Sequence, residues 1–261
     1  MIAYYINSAG ERIDLIKKPF RMVEADLFDS DWEENADGYE KTVSIDVFDD
    51  KSKLKENMET LYKVFAYDSE NNTYGRLYVN DTYMFCRVQK SKKDDWKGFI
   101  YAVVELTFYA PVLKWISESR KSFYPSALTT AEEGGLDFAF DFAFDFKKSE
   151  TGVGFWYVNH IIPSDFVMII YGPCVDPEIT INNHLYVVYT TLHAGEYLII
   201  NSLDCSVIKY LINGQTEDLF NDRGQEESVF EKIPSGAVTI LWSGEFGFEI
   251  ILYKVRREPT W

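Results

Sequence analysis

Leu136-Asp137-Phe138-Ala139-Phe140-Asp141-Phe142-Ala143-Phe144-Asp145-Phe146 places phenylalanine at every even position from 138 to 146 and Asp or Ala at every odd one. Side chains alternate across an extended backbone, so one edge of this stretch is aromatic and the other small or acidic. A helix would scatter the rings around its axis; the strict period of two predicts an extended segment. Gly134-Gly135 before it and Lys147-Lys148-Ser149 after it break the pattern, and the chain has a different texture on each side. The stretch therefore divides the protein into a domain over 1–133, an extended aromatic linker over 134–148, and a second domain over 149–261.

Both flanking parts read as β-rich. Of the 261 residues, 46% are hydrophobic and 16% aromatic, enough to bury substantial cores, and rings in alternating runs favour pleated surfaces. The formal charge of −16 disfavours binding to nucleic acid by counterion release and to anionic lipid. The N-terminus Met1-Ile2-Ala3-Tyr4-Tyr5-Ile6-Asn7 has no basic n-region, and no apolar run approaches membrane-spanning length. We therefore expect no signal peptide and no membrane contact, and a soluble chain made in the cytosol. Cys86, Cys174 and Cys205 show no metal-type spacing, and free, mostly buried thiols are expected.

In the first domain, Ala3 to Ile6, Ile13 to Ile16 and Val43 to Phe48 read as strands, and the acidic stretch Glu24 to Asp37 as an exposed loop. Asp49-Asp50 offer capping carboxylates to a helix over Lys51 to Tyr67. There Leu54, Met58, Leu61, Tyr62 and Phe65 recur at helical spacing and form a core-facing stripe. Gly75 to Val79 and Thr82 to Val88 flank Asn80-Asp81, a pair that tolerates positive φ, which predicts a two-residue β-hairpin. Lys90 to Lys97 reads as a charged connection. Phe99 to Phe108 follows as a strand with Ile100, Ala102, Val104, Leu106 and Phe108 on one face, ended by Pro111. The second domain shows short strands with turn signals between them: Val167 to Tyr171, Glu178 to Ile181, Leu185 to Tyr189, Glu196 to Ile200, Val207 to Ile212, Ala237 to Trp242 and Phe246 to Lys254. This pattern predicts a β-sandwich, with Trp156, Tyr186, Phe230, Trp242 and Phe248 in its core.

No constellation for catalysis emerges. His160, His184 and His193 lie far apart without HExxH or HxH spacing. There is no nucleophile elbow and no phosphate loop, and Gly152-Val153-Gly154 before an aromatic strand reads as a turn. Asp137, Asp141 and Asp145 would be about 13 Å apart between neighbours on an extended strand and cannot converge on one calcium ion. No catalytic, cofactor-binding or metal-binding residue is nominated, and no cofactor is expected.

Several stretches in order resemble one family. Tyr4-Tyr5-Ile6-Asn7-Ser8-Ala9-Gly10-Glu11-Arg12-Ile13-Asp14-Leu15, the Gly75–Asn80 hairpin, Leu106-Thr107-Phe108-Tyr109-Ala110-Pro111 and the aromatic strap are the first four. The block from Tyr171-Gly172-Pro173 to Ile179-Thr180-Ile181-Asn182, and the close with Phe230–Gly236 and Gly244–Phe248, complete the set. The whole is similar to the distal tail (Dit) proteins of long-tailed bacteriophages, the siphophage-type tail-tip or baseplate hub, encoded by phage or prophage. Family straps often carry proline between tyrosines, where this chain has Ala139 and Ala143 between phenylalanines.

The resemblance implies a mainly β fold: an N-terminal ring-forming domain with one α-helix and a β-hairpin, and a C-terminal galectin-like β-sandwich. It implies a virion structural protein of the tail tip, not an enzyme, assembled in the host cytoplasm. Its homohexameric ring would join the tail tube protein to the tail-associated hub protein and support receptor-binding proteins for host attachment. DNA would cross the negatively charged bore without specific binding. Cyclic closure requires two different patches on each copy, and the hairpin Gly75 to Val88, the helix and the N-terminal strand are the candidates. The alternative is a lectin-like, carbohydrate-binding module for host cell-wall glycans.

Overall fold

The computed structural model describes residues 1–23, 26–49, 53–97, 100–125 and 152–260. The strap Leu136–Phe146 and the linker expected over 134–148 lie outside the described residues. The chain separates into two compact units, Met1–Ser117 with Val255–Trp261, and Glu118–Lys254. The boundaries read from the sequence fall outside the described residues. The described divisions instead lie within two strands, and the chain's last residues rejoin the first unit.

The first unit contains β1 (Ala3–Ile6), β2 (Arg12–Asp14), β3 (Phe20–Met22), β4 (Glu33–Asn35), β5 (Gly38–Phe48), α1 (Leu54–Glu70), β6 (Gly75–Val79), β7 (Thr82–Lys97) and β8 (Tyr101–Ala110). It also holds the start of β9 (Trp115–Phe123). One run of strands is β2–β1–β6–β7, every neighbour antiparallel. In the other, β7 pairs with β8, β8 with β5, and β5 with both β3 and β4. The predicted hairpin forms: Val79 pairs with Thr82 around Asn80, whose φ is +52°. Asn80 also latches the turn. Its Oδ1 accepts from the Ile2 N–H at 3.0 Å, and its Nδ2 donates to the Thr260 carbonyl at 2.6 Å.

Alternation explains which faces are covered. Val43, Ile45 and Val47 of β5 and Ala102, Val104, Leu106 and Phe108 of β8 are buried on one side, and α1 closes over this unit's core with Leu54, Leu61, Val64 and Phe65. Burying those four side chains contributes roughly 6–12 kcal/mol at about 1.5–3 kcal/mol each. Ring contacts fix the helix: Phe65 lies 5.0 Å from Tyr5 and 5.9 Å, edge-on, from Phe108.

Four expectations for this unit are corrected. The acidic stretch Glu24 to Asp37 is not wholly an exposed loop, because Leu27, Phe28 and Trp32 are buried in the core and β4 pairs with β5. Three apolar side chains outweigh their charged neighbours wherever a core position is open to them. Lys90 to Lys97 is strand, the second half of β7, held by its ladder to β8 through two register shifts. Its own side chains give no apolar alternation, so the partner strand decides its conformation. Tyr62 is 61% exposed on the outer face of α1, its hydroxyl donating to Glu70 at 3.0 Å. Asp49 does not cap the backbone of α1. The cap residue is Lys53, and Asp49 instead accepts from the Asn57 side chain at 3.1 Å and pairs with Lys18 at 3.0 Å.

The second unit runs through the rest of β9, then β10 (Gly152–Val158), β11 (Asp165–Tyr171), β12 (Cys174–Val175), β13 (Glu178–Ile181), β14 (His184–Val187) and β15 (Thr191–Leu192). It continues with β16 (Tyr197–Asn201), β17 (Ser206–Tyr210), β18 (Thr216–Asp218), β19 (Gly236–Trp242) and β20 (Phe248–Arg256), which returns to the first unit at Val255. One sheet is β10–β19–β13–β14; the other runs β18–β17–β16–β11–β20. Both are antiparallel, and their inner residues form one core, which makes this unit the predicted β-sandwich.

Tyr186, Trp242 and Phe248 sit in that core as expected, while Trp156 and Phe230 pack on it half-buried. Phe123, Trp242 and Phe248 form a ring cluster, Phe123 stacked on Phe248 at 4.7 Å with Trp242 edge-on to Phe248 at 5.3 Å. The polar ends of the buried rings are satisfied: Trp242 Nε1 donates to the Phe246 carbonyl at 3.1 Å and Tyr186 Oη to that of Glu231 at 2.7 Å. Gly152 and Gly154 are strand residues and not a turn. The Trp242 ring leaves no room for a Cβ on Gly152, and a Cβ on Gly154 would come within 2.6 Å of Phe123. Among the cysteines, all free, only Cys86 is fully buried; Cys174 is half-buried and Cys205 exposed on a turn at φ +56°.

Candidate assembly surfaces

The three elements nominated for self-association converge on one polar anchor inside the first unit. Asp68, 0% exposed near the C-terminal end of α1, accepts from Tyr5 Oη of β1, from the Ser8 N–H at 3.0 Å and from Thr73 Oγ1 at 2.8 Å. Tyr5 Oη also reaches the Cys86 carbonyl of β7 at 3.3 Å. Burial, with the neighbouring Cys86 and Asp68 adding to it, pushes the Tyr5 phenol far above its ordinary range. Burial likewise raises the Cys86 thiol. Neither group ionises at neutral pH, so the anchor is a neutral-donor cradle for one carboxylate. Gly75 at the start of β6 belongs to the same packing, since a Cβ there would strike the Tyr5 ring.

Outside this anchor the same strands present an aromatic and arginine ladder. Arg12 lies 3.7 Å over Tyr4, Tyr4 stacks on Tyr78 at 4.6 Å, Tyr78 meets Tyr83 at 5.4 Å, and Arg76 sits 5.3 Å from both Tyr83 and Phe85. Cross-strand register creates this row, because Tyr4, Tyr78 and Tyr83 are directly opposite one another. On the helix side, a groove of about 210 Å³ lies between α1 and β7, with Met58, Tyr62, Phe65, Ala66 and Val88 on its floor and Lys90 and Lys93 at its rim. Aromatic and arginine side chains of this kind carry most of the energy in protein interfaces.

The second unit offers a different surface. On β10, Phe155 and Tyr157 are 73% and 72% exposed beside Val153, with Leu241 of β19 paired to Val153. Gly152 and Gly154 alternate with them and take the inward positions, so the strand turns all its large side chains but Trp156 and Val158 outward. The sequence pattern Gly-Val-Gly-Phe-Trp-Tyr-Val carried this signal; reading its glycines as a turn concealed it.

Among the described residues, no group of three or more His, Cys, Asp or Glu side chains is placed to hold a metal ion. The histidines serve loops: His184 Nε2 lies 2.8 Å from the Ser228 carbonyl and His160 Nδ1 2.8 Å from that of Ile162. The buried pair of the second unit, Lys209 and Glu196 at 3.5 Å, is satisfied internally. Lys209 donates to the Thr191 carbonyl at 3.1 Å and Glu196 accepts from the His193 N–H at 2.9 Å. That backbone hydrogen bond, with Lys209 beside it, holds the Glu196 carboxyl below its ordinary range.

No protein-family model matches the chain, and no curated protein matches it by sequence. Solved structures match it end to end. The SPP1 Dit protein, described as a paradigm of hub adsorption apparatus in Gram-positive infecting phages, is 12% identical with a TM-score of 0.54, covering 98% of this chain and 100% of its own. A chain of the phage P2 baseplate in its activated conformation with Ca gives 12% identity and a TM-score of 0.56, covering 99% of each. Its counterpart with Sr gives 11% and 0.54 over 99% of this chain and 100% of that one. The likeness establishes a shared, Dit-like fold.

Proposed function

We propose that this chain is a structural hub protein of a phage tail tip or baseplate. Six copies close into a ring through the first unit and join the tail tube to the tail-associated hub protein. The second unit carries the surface on which receptor-binding proteins dock. The protein acts in the virion after assembly in the host cytoplasm, and its work is structural rather than catalytic. The observation that carries the reading is coverage: both units, in one chain and in the same order, match Dit and baseplate chains over nearly their full length. Native mass by light scattering over a concentration series, with negative-stain images of the same sample, tests it. A mass near six chains with annular particles is expected; a single-chain mass that persists after addition of the tail tube and hub proteins overturns the reading.

Phe155 and Tyr157 favour a second reading, in which the sandwich holds a host cell-wall glycan against exposed rings. Titration of wall polysaccharide into the full chain separates the two, since saturable binding lost in Tyr157→Ser supports the lectin reading.

A further inference from the structure

In the first unit, the sheet formed by β3 and β4, β5, β8 and β7 has two outer edges of opposite charge. Among the described residues, the stretch 88–97 of β7 pairs with β8 alone, leaving its other backbone edge open. Along that edge Lys90, Lys92, Lys93 and Lys97 outnumber Asp94 and Asp95, a local positive excess in a chain of net charge −16. Across the sheet, the outer edge is shared by β3, which carries Arg21, and β4; the β4 part, within Asp29 to Asp37, carries Asp29, Asp31, Glu33, Glu34 and Asp37 with no Lys or Arg. All five carboxylate residues are exposed. Glu33, Glu40, Tyr109 and Arg87 fall on one row across the four strands, so the acidic edge lies level with the start of the basic one.

We propose that the β7 edge of one copy receives the Asp29–Asp37 edge of the next, and that this charge-matched contact is the ring's repeating interface. The inference rests on the ring reading above and adds the surfaces and their polarity. Opposite edges of one sheet are two different patches facing away from each other, which is what head-to-tail cyclic closure needs. Lysines along an open edge deter indiscriminate strand pairing, and in an otherwise acidic chain an acidic edge is the partner they admit. The lysines do have intrachain partners: Lys90 with Glu40 at 3.4 Å, Lys92 with Glu105 at 3.0 Å and Asp94 at 3.2 Å, and Lys97 with Asp95 at 3.2 Å. These pairs are solvent-exposed and individually weak, so they exchange readily for an interface. On the acidic side only Asp31 has an ion-pair partner among the described residues, Lys41.

The test is a charge swap read by light scattering. Lys92→Glu with Lys93→Glu gives a chain acidic on both edges, and Asp29→Lys with Glu33→Lys and Glu34→Lys gives one basic on both. Each alone is expected to run at single-chain mass, and an equimolar mixture to regain the ring mass with the two variants alternating. Unchanged circular dichroism and melting confirm that each variant folds. Should the reversed charges unfold the chain, Lys92→Gln with Lys93→Gln removes the attraction without repulsion and is expected to raise the ring's dissociation constant about tenfold. Ring mass retained by both reversed variants, or a mixture that stays at single-chain mass, overturns the edge pairing while leaving the ring standing. A wild-type chain that never forms rings, even with its tail partners, overturns both.

Discussion

Replacing Asp68 with alanine should unfold the first unit at a far lower temperature than any exposed acidic substitution. Asp68 sits at the negative end of the α1 dipole, fully buried, where a carboxylate is unfavourable unless donors surround it. Three do, and hydrogen bonds to a charged group contribute roughly 1.5–3 kcal/mol each. Some of that offsets the cost of burying the charge, so the net loss is about 3–5 kcal/mol, the range found when one side of a buried charged contact is removed. For a unit of this size each kcal/mol moves the midpoint about 3 °C, giving a fall of roughly 10–15 °C. Tyr5→Phe removes one donor and should cost about 1.5–3 kcal/mol. The assay is differential scanning calorimetry of wild type, Asp68→Ala, Tyr5→Phe and the double variant. Because the two groups share one hydrogen bond, the double variant should fall short of the summed losses by about 1 kcal/mol or more. A fall under about 2 °C in Asp68→Ala, or full additivity in the cycle, would refute the claim that this carboxylate ties α1 to the first strand.

Further outcomes follow from packing and exposure. Gly154→Val should strike Phe123 and cost the second unit about 1–3 kcal/mol, seen as a lower second transition with altered tryptophan fluorescence. Phe155→Ser with Tyr157→Ser should leave both transitions within about 0.5 kcal/mol of wild type while weakening pull-down of receptor-binding proteins; intact pull-down would discount β10 as a docking strand. Thiol labelling at pH 8 should count one fast cysteine, Cys205. Burial pushes the Cys174 thiol up to about 11, leaving about one molecule in a thousand as the reactive thiolate, and Cys86 should react only on unfolding.

Where side-chain periodicity and burial agreed, the sequence was legible. Val43, Ile45 and Val47 alternate because one face of β5 meets the core, and Asn80-Asp81 and Asn182-Asn183 turn where asparagine tolerates positive φ. The misreadings share a cause: long-range partners overrode local pattern. Lys90 to Lys97 is strand because β8 supplies the ladder, and Trp32 is buried because the core has room for it among carboxylates. The Asp68 anchor was invisible for the same reason, since Tyr5, Ser8 and Thr73 meet it only after α1 folds back over β1. Of the nominated surfaces, the hairpin and first strand were legible as elements, whereas the opposed charges of two sheet edges needed the strand order.

The latch between Thr260 and the Asn80 turn has a consequence for the order of synthesis. Residues 255–260 belong with the first unit although the whole second unit is translated between them and Ser117. At about 5–20 residues per second, the ribosome withholds them for on the order of ten seconds after the first unit's other strands have emerged. During that interval Asn80 has its bond to Ile2 but not to Thr260, and Asp81 waits for the Thr260 hydroxyl. Residues 255–260 are thus a late fastening: the first unit gains its bonds to Thr260 only in a chain whose second unit has already been made.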